Sequence, residues 1–435
     1  MSAPPTDRPP SGADELLTTT RPCLRPEIVI GPATMRGAGV VHHVKDRRTG
    51  SFFQVGPKEC FLLSRLDGTR TLTDIGDEYA ERFGRELGAA QWRQLLDLLA
   101  VRMLLVGTED EDGLRGVAET VAAGSRGHRT LLYARLPLVD PDRFLAAIEP
   151  RVRLLYSRPL VVALGLAVTA MVALVLTRIP ELVADLGLLW RTPVLGVLAL
   201  AALWGSLALH EIAHGLTCKH FGGQVTEIGV MWRMPLLAPY CKADDVVLFH
   251  RRGHRVATAF AGVFVSLVVL LPFGVLHLLT PGASGWHVFA SSVLLMGTAA
   301  ALLNVIPFLQ LDGYHMLTHA LGMANLRTDS YAYCRQLLRR DADLSAYPRR
   351  ARIAYTSYGV SSVVFGCVLA SAVVAMWFVQ LSSALGPWAA AAVLVGEALV
   401  VTTVVVLLRR RRARRRASGT GSGPVARTRT GSAGA

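Results

Sequence analysis

Residues Thr192–Leu216 read TPVLGVLALAALWGSLALHEIAHGL. From Pro193 to Leu209 the run is uncharged, which approaches the roughly 20 apolar residues that a bilayer-crossing helix needs. It ends in His210-Glu211-Ile212-Ala213-His214. Two histidines four apart face one side of a helix and can share a metal ion. Glu211, beside the first histidine, can reach a water on that ion without being a ligand and act as general base. HExxH is a short pattern that recurs by chance, and a histidine pair satisfied at a membrane interface is the alternative. The apolar setting decides between them, because a charged side chain in a span costs about 3 kcal/mol on the insertion scale and is rarely kept for packing.

A catalytic zinc needs a third protein ligand and an open position. Asn304-Val-Ile-Pro307-Phe-Leu-Gln-Leu-Asp312-Gly313, at the end of another apolar run, offers Asp312. Pro307 should kink that helix, and Gly313 permits a turn directly after the carboxylate. Asn304 has two open readings, a hydrogen bond to a substrate carbonyl or oxyanion and a helix–helix hydrogen bond.

Working outward, the 435 residues are 51% hydrophobic and only 18% charged, with mean hydropathy +0.38. Soluble domains carry about a quarter charged residues, so a purely soluble chain is excluded. Six spans are expected near Leu160–Thr177, Thr192–Leu216, Val256–Leu279, Trp286–Leu311, Ile353–Val379 and Trp388–Leu408, joined by short connections at 178–191, 280–285 and 380–387. The connections 217–255 and 312–352 hold Lys219, Lys242, Arg251, Arg252, Arg255, Arg327, Arg335, Arg339, Arg340, Arg349, Arg350 and Arg352. The positive-inside rule then predicts cytoplasmic N- and C-termini and a bacterial plasma-membrane location. The arginines of 409–416 extend the same signal, so much of the net charge of +14 reports topology rather than nucleic-acid binding. With this parity the second and fourth spans run the same way, and Asp312 falls level with His210 and His214.

Residues 1–23 read as a disordered leader with no apolar signal-peptide core. Residues 24–108 have the outline of a winged helix-turn-helix. Strands are expected at Val40–Lys45 and Ser51–Val55, with helices from Pro57 to Leu66, from a Thr71 or Thr73 cap through Phe83, and over Ala89–Met103. Asp74, Asp77, Glu78 and Glu81 against Arg82 make the second helix acidic. That face repels phosphates, which excludes nucleic acid and favours a peptide partner. Residues 109–158 are expected to be a linker, with an acidic patch at Glu109–Asp112 and an interfacial helix over Leu138–Arg158. The membrane domain covers 159–408 with a catalytic core at about 192–320, and 409–435 is a basic disordered tail. Cys23, Cys60, Cys218, Cys241, Cys334 and Cys367 are scattered without a CxxC pair, so no disulfide framework is expected. The fold class is thus mainly α, a polytopic α-helical membrane protein with a small N-terminal winged-helix domain.

HEIAHG followed by NVIPFLQLDG resembles the site-2 protease family of intramembrane zinc metalloproteases, and more narrowly the bacterial peptide zinc metalloprotease type. The resemblance implies a catalytic core of spans two to four, a Zn2+ cofactor on His210, His214 and Asp312, and Glu211 as general base. Ser51-Phe-Phe-Gln-Val-Gly56 with Leu66-Asp67-Gly68 is similar to leader-recognition domains of modified-peptide pathways, which bind a peptide by strand addition. The sequence departs from relatives in placing Lys242, then Asp244 and Asp245, after Tyr240-Cys241. The expected activity is hydrolysis of a peptide bond, removing the leader of a ribosomally made modified peptide. The alternatives are regulatory cleavage of a membrane signalling protein and a non-catalytic peptide-binding protein for export or immunity. Partners would be a peptide or membrane-protein substrate, the lipid bilayer and a peptide exporter.

Four further features have weaker readings. Cys218 continues the histidine face and reads as an interior thiol, with inhibition of the metal as the other option. His315 suits an interface, and Glu397 a hydrogen bond to a neighbouring span. Gln224–Trp232 reads as a strand, able to pair with an extended substrate, or as a loop.

Overall fold

Local signals in the N-terminal region become a three-stranded antiparallel sheet followed by three helices. A computed structural model of the chain describes residues 17–108, 133–139, 141–189, 191–233, 236–282, 284–339 and 344–418. The start of the expected leader, the acidic patch at 109–112, most of the linker and the tail beyond 418 lie outside the described residues. The sheet order is β1 (Ile28–Arg36), β2 (Gly39–Asp46), β3 (Phe52–Val55). The β2–β3 register pairs His42 with Val55 and Lys45 with Phe52. Gly50, at φ +70°, closes the turn as the sequence predicts. Strand β1 was not predicted. Pro32 interrupts its pattern, and the register shifts between Ile30 and Ala33, where a residue without an N–H is tolerated.

The helices α1 (Pro57–Leu63), α2 (Leu72–Phe83) and α3 (Ala89–Val101) follow. Thr71 caps α2 in a reciprocal capping box with Asp74, and Gly84 ends it in the left-handed conformation. Their apolar faces meet the sheet around Val44, Leu62, Leu72, Ile75, Tyr79 and Trp92, all buried.

The rest of the chain is mainly helical. Its elements are β4 (Tyr133–Val139), α4 (Pro141–Val152), α5 (Arg158–Thr177), α6 (Ile179–Leu189), α7 (Pro193–His220), β5 (Glu227–Arg233), β6 (Leu236–Lys242), α8 (Arg252–Val269), α9 (Leu271–Leu279), α10 (Gly285–Val305), α11 (Asp312–Leu321), α12 (Leu326–Leu337), α13 (Arg349–Leu385) and α14 (Pro387–Ser418). Among the described residues, five helical stretches are long and apolar enough to cross a membrane: α5, α7, α8 with α9, α10 and α13. The described apolar part of α14, Pro387–Val400, is shorter. Helix α14 continues to Ser418, through the arginines where a disordered tail was expected.

Three expectations change here. The connection 178–191 contains helix α6, whose Leu182 and Leu189 enter the core with Val168, Met171, Val263, Leu270, Val293 and Leu294. The fourth apolar helix stops at Val305, so Pro307 ends α10 rather than kinking it, and Asp312 opens a new helix. The stretch read as linker supplies β4, which pairs with β5 in a second antiparallel sheet of order β4-β5-β6. The strand expected at 224–232 forms as β5, but as the central strand with both edges occupied. Helix α4 falls within the expected interfacial helix and buries Leu145 beside Cys218, Val225 and Val246.

Contacts divide the chain into two units, Met1–Asp329 with Arg339–Arg352, and Ser330–Leu338 with Ile353–Ala435. In the second, Ser362 Oγ donates to Tyr331 Oη at 3.1 Å and Trp377 Nε1 donates to Glu397 at 3.5 Å, the interhelix bond expected for Glu397. Within the first, the N-terminal sheet docks on the segment after β6. Gly31 lies so close to Val247 and Leu248 that a Cβ there would be 3.2 Å from their backbone atoms. Met35 exchanges backbone hydrogen bonds with Gly322 and Ala324 at 2.9 and 2.8 Å. Lys45 forms an ion pair with Asp245, both side chains almost fully buried, and also reaches Gln224 at 3.3 Å. Removing one partner strands a buried charge, which costs about 3–5 kcal/mol. Lys45→Met or Asp245→Asn should each destabilise the detergent-solubilised protein by about that amount in denaturant titrations. The double variant Lys45→Met/Asp245→Leu should lose less than either single variant.

Candidate metal centre

The second half of α7 carries His210 and His214 on one face, and their rings stand edge to face with centroids 4.7 Å apart. Their Nε2 atoms are 3.1 Å apart. Asp312, the first residue of α11, places Oδ2 2.8 Å from His210 Nε2 and Oδ1 3.3 Å from His214 Nε2. One ligand atom from each of the three converges within 4.8 Å of the others. The turn that delivers Asp312 depends on Gly313, because a Cβ there would overlap the Val305 carbonyl.

Helix α8 completes the site from the other side. His214 Nδ1–H donates to the Thr258 carbonyl at 2.7 Å, and His210 Nδ1 lies 3.0 Å from Ser266 Oγ. Between these contacts Gly262 faces the rings, and a Cβ built on it would lie 2.6 Å from His210 Nε2. Because Nδ1 of His214 holds its proton for a carbonyl, Nε2 presents a lone pair. That lone pair faces a carboxylate oxygen at hydrogen-bond distance. Acceptors converging in this way repel unless a cation or proton lies among them. Asp312 Oδ2 is buried and has no hydrogen-bond partner among the described residues. Two imidazoles and one carboxylate in a shielded pocket therefore suit a divalent metal ion.

Glu211 lies outside the converging set. Its Oε2 accepts the Cys241 backbone N–H of β6 at 2.9 Å, which ties the motif helix to the second sheet. Desolvation, with Glu211's charge next, pushes the Cys241 thiol well above its ordinary value, so it stands protonated. Asn304 occupies the last turn of α10, with its carbonyl against Gly313, and its side chain makes no hydrogen bond among the described residues. Cys218 packs with Leu145, Val225 and Val246, as an interior thiol would. His315 is exposed and belongs to neither the ligand set nor its hydrogen bonds.

The sequence reading missed Thr258, Gly262 and Ser266. Their spacing by four, a stripe of small and polar residues along an apolar helix, was the available signal. The chain is thus a mainly helical protein with membrane-length apolar helices and a buried His–His–Asp cluster able to hold a metal. Comparison with protein-family models, curated proteins and solved structures finds no match.

Residues that orient a ligating histidine typically contribute 10–100-fold to metal affinity. Ser266→Ala should weaken binding by about that factor in competition with a chromophoric chelator. Gly262→Ala should weaken it further, since its methyl group occupies the space of the imidazoles.

Proposed function

We propose that the protein is an intramembrane zinc endopeptidase of the site-2 protease type, which removes the leader from a ribosomally made peptide. The observation that carries this reading is the arrangement of four side chains. His210, His214 and Asp312 converge as ligands, while Glu211, on the same helical turn, is held apart by the Cys241 N–H. A purely structural metal site has no need of a carboxylate beside the ligands.

His210, His214 and Asp312 would hold the zinc, which when bound would supply Lewis acidity and lower the pKa of a water toward about 7. Glu211 takes a proton from the attacking water, the C–N bond breaks, and Glu211 returns the proton to the departing amine. Its bond from Cys241 engages one oxygen, so the carboxylate is oriented before substrate arrives. An extended substrate is required, because helical peptide bonds are shielded by their own hydrogen bonding. The strand best placed to hold one is β6, at the edge of its sheet and packed along α7. Part of that edge is already used, by Trp204 Nε1 donating to the Leu237 carbonyl at 3.1 Å and by Cys241 donating to Glu211.

The N-terminal unit of sheet and three helices is read as the winged-helix leader-recognition domain. Residues 322–324 cover the outer edge of β1. Among the described residues strand β3 pairs only with β2, and its outer edge is where a leader strand would add. The topology in this reading has six spans, α14 being the sixth, with both termini cytoplasmic at a plasma membrane. The basic connections 217–255 and 312–352 lie on that side with the metal centre.

Glu211→Gln should retain the metal and lose leader cleavage by about 10²–10⁴-fold, the usual contribution of a general base. The assay is mass spectrometry of candidate precursor peptides from the same organism after incubation with each protein. Undiminished cleavage by the metal-loaded variant would overturn the mechanism.

A further inference from the structure

A second cluster is formed by side chains of α6, α9 and α10. Glu181 and Asp185 are four apart on α6 and share a face. His277 lies in the last turn of α9 and His287 in the first turn of α10. His277 is about four turns along from Gly262, on the order of 20 Å at a rise of ~1.5 Å per residue.

Glu181, His277 and His287 bring one ligand atom each within 4.8 Å of the others. Asp185 joins through His287, whose Nε2 is 3.5 Å from Asp185 Oδ2 and 3.7 Å from Glu181 Oε1. The two imidazoles overlap, with centroids 4.3 Å apart. Both rings are tethered by Nδ1: His287 donates to the Thr280 carbonyl at 3.1 Å, and His277 stands 3.0 Å from Ser291 Oγ. Each Nε2 is left for the cluster. His277 is only 2% exposed, and among the described residues its Nε2 has no hydrogen-bond partner; the buried Asp185 Oδ2 has none there either. Burying such atoms unpaired is unfavourable, since each forfeits its hydrogen bond to water.

A hydrogen-bonded network does not account for this geometry. With Nδ1 of His287 donating to a carbonyl, its Nε2 carries no proton in the neutral ring, so at 3.5–3.7 Å it turns a lone pair, not an N–H, toward the two carboxylates. Two ligands each about 2.1 Å from a tetrahedral ion lie about 3.4 Å apart, close to these separations. Two neutral imidazoles and two carboxylates also balance a divalent charge, although Glu181 shares its other oxygen with Arg178 at 3.5 Å.

We propose that His277, His287, Glu181 and Asp185 form a second binding site for a divalent first-row transition ion of the zinc class. The ion staples α6 to the turn between α9 and α10. The site is separate from the His210–His214–Asp312 centre and does not depend on the protease reading.

The test is metal counting on full-length protein in detergent, stripped with chelator and titrated with zinc, or with cobalt(II) followed by its absorption. Wild type should take up two equivalents per chain. His277→Gln/His287→Gln should take up one, and so should His210→Gln/His214→Gln, each pair removing a different site. Glu181→Gln/Asp185→Asn, which preserves shape, should weaken one equivalent at least tenfold and abolish the part of the zinc-induced rise in melting temperature that His210→Gln/His214→Gln retains. One equivalent in wild type, lost entirely in His210→Gln/His214→Gln, would overturn the proposal. So would two undiminished equivalents in His277→Gln/His287→Gln.

Discussion

Three acceptor atoms meet where apolar helices pack, and the surrounding bundle is shaped to make that tolerable. His210 and His214 project from α7, and Asp312 comes from a helix that starts where α10 has already ended. Helix α8 can lie against the imidazoles only because Gly262 has no side chain there. On either side of it, Thr258 and Ser266 hold the Nδ1 atoms. Ordinary core packing would have filled this space with leucine or valine, as it does in the cluster around Val263, Leu267 and Leu270. The glycine and its two polar neighbours make sense as the cost of presenting imidazole lone pairs in a pocket shielded from water.

Glu211 connects this centre to the rest of the first unit through backbone rather than side chains. Its partner, Cys241, lies in β6, and the chain leaves β6 directly into the segment Asp244–Leu248. That segment receives the N-terminal sheet, through Gly31 against Val247 and Leu248 and through the buried Lys45–Asp245 pair. Asp245 also accepts the Gln224 N–H at 2.9 Å, so one carboxylate fixes both the docked sheet and the exit of α7. The N-terminal sheet is thus joined through these contacts to the strand that positions Glu211. Asp245 thereby serves as the counter-ion of a lysine two hundred residues earlier.

Much of this was legible from residue types alone. Apolar length gave the helices, and a threonine cap at Thr71 or Thr73 gave the start of α2, which the structure resolves to Thr71. The i, i+4 histidines needed only helical periodicity to share a face. Strand β1 was illegible because Gly31-Pro32 reads as a break, whereas the sheet absorbs it as an irregularity. Helix α6 was read as a short connection because it barely exceeds a few turns, and β4 was hidden in a stretch whose pairing partner lies about ninety residues away.

The sequence by itself marked the residues that converge in the candidate metal centre, since the i, i+4 histidines and the Asp-Gly pair are local patterns whose spacing follows from helix and turn geometry. It also determined that the host segments are apolar enough to cross a bilayer. Tertiary structure alone decided the company those residues keep: the α8 stripe behind the histidines, the β6 amide on Glu211, the lysine on Asp245, and the pairing of Glu181 and Asp185 with His277 and His287. These are contacts between segments remote in sequence. Their partners are chosen by close packing in three dimensions, which no single helix or turn encodes.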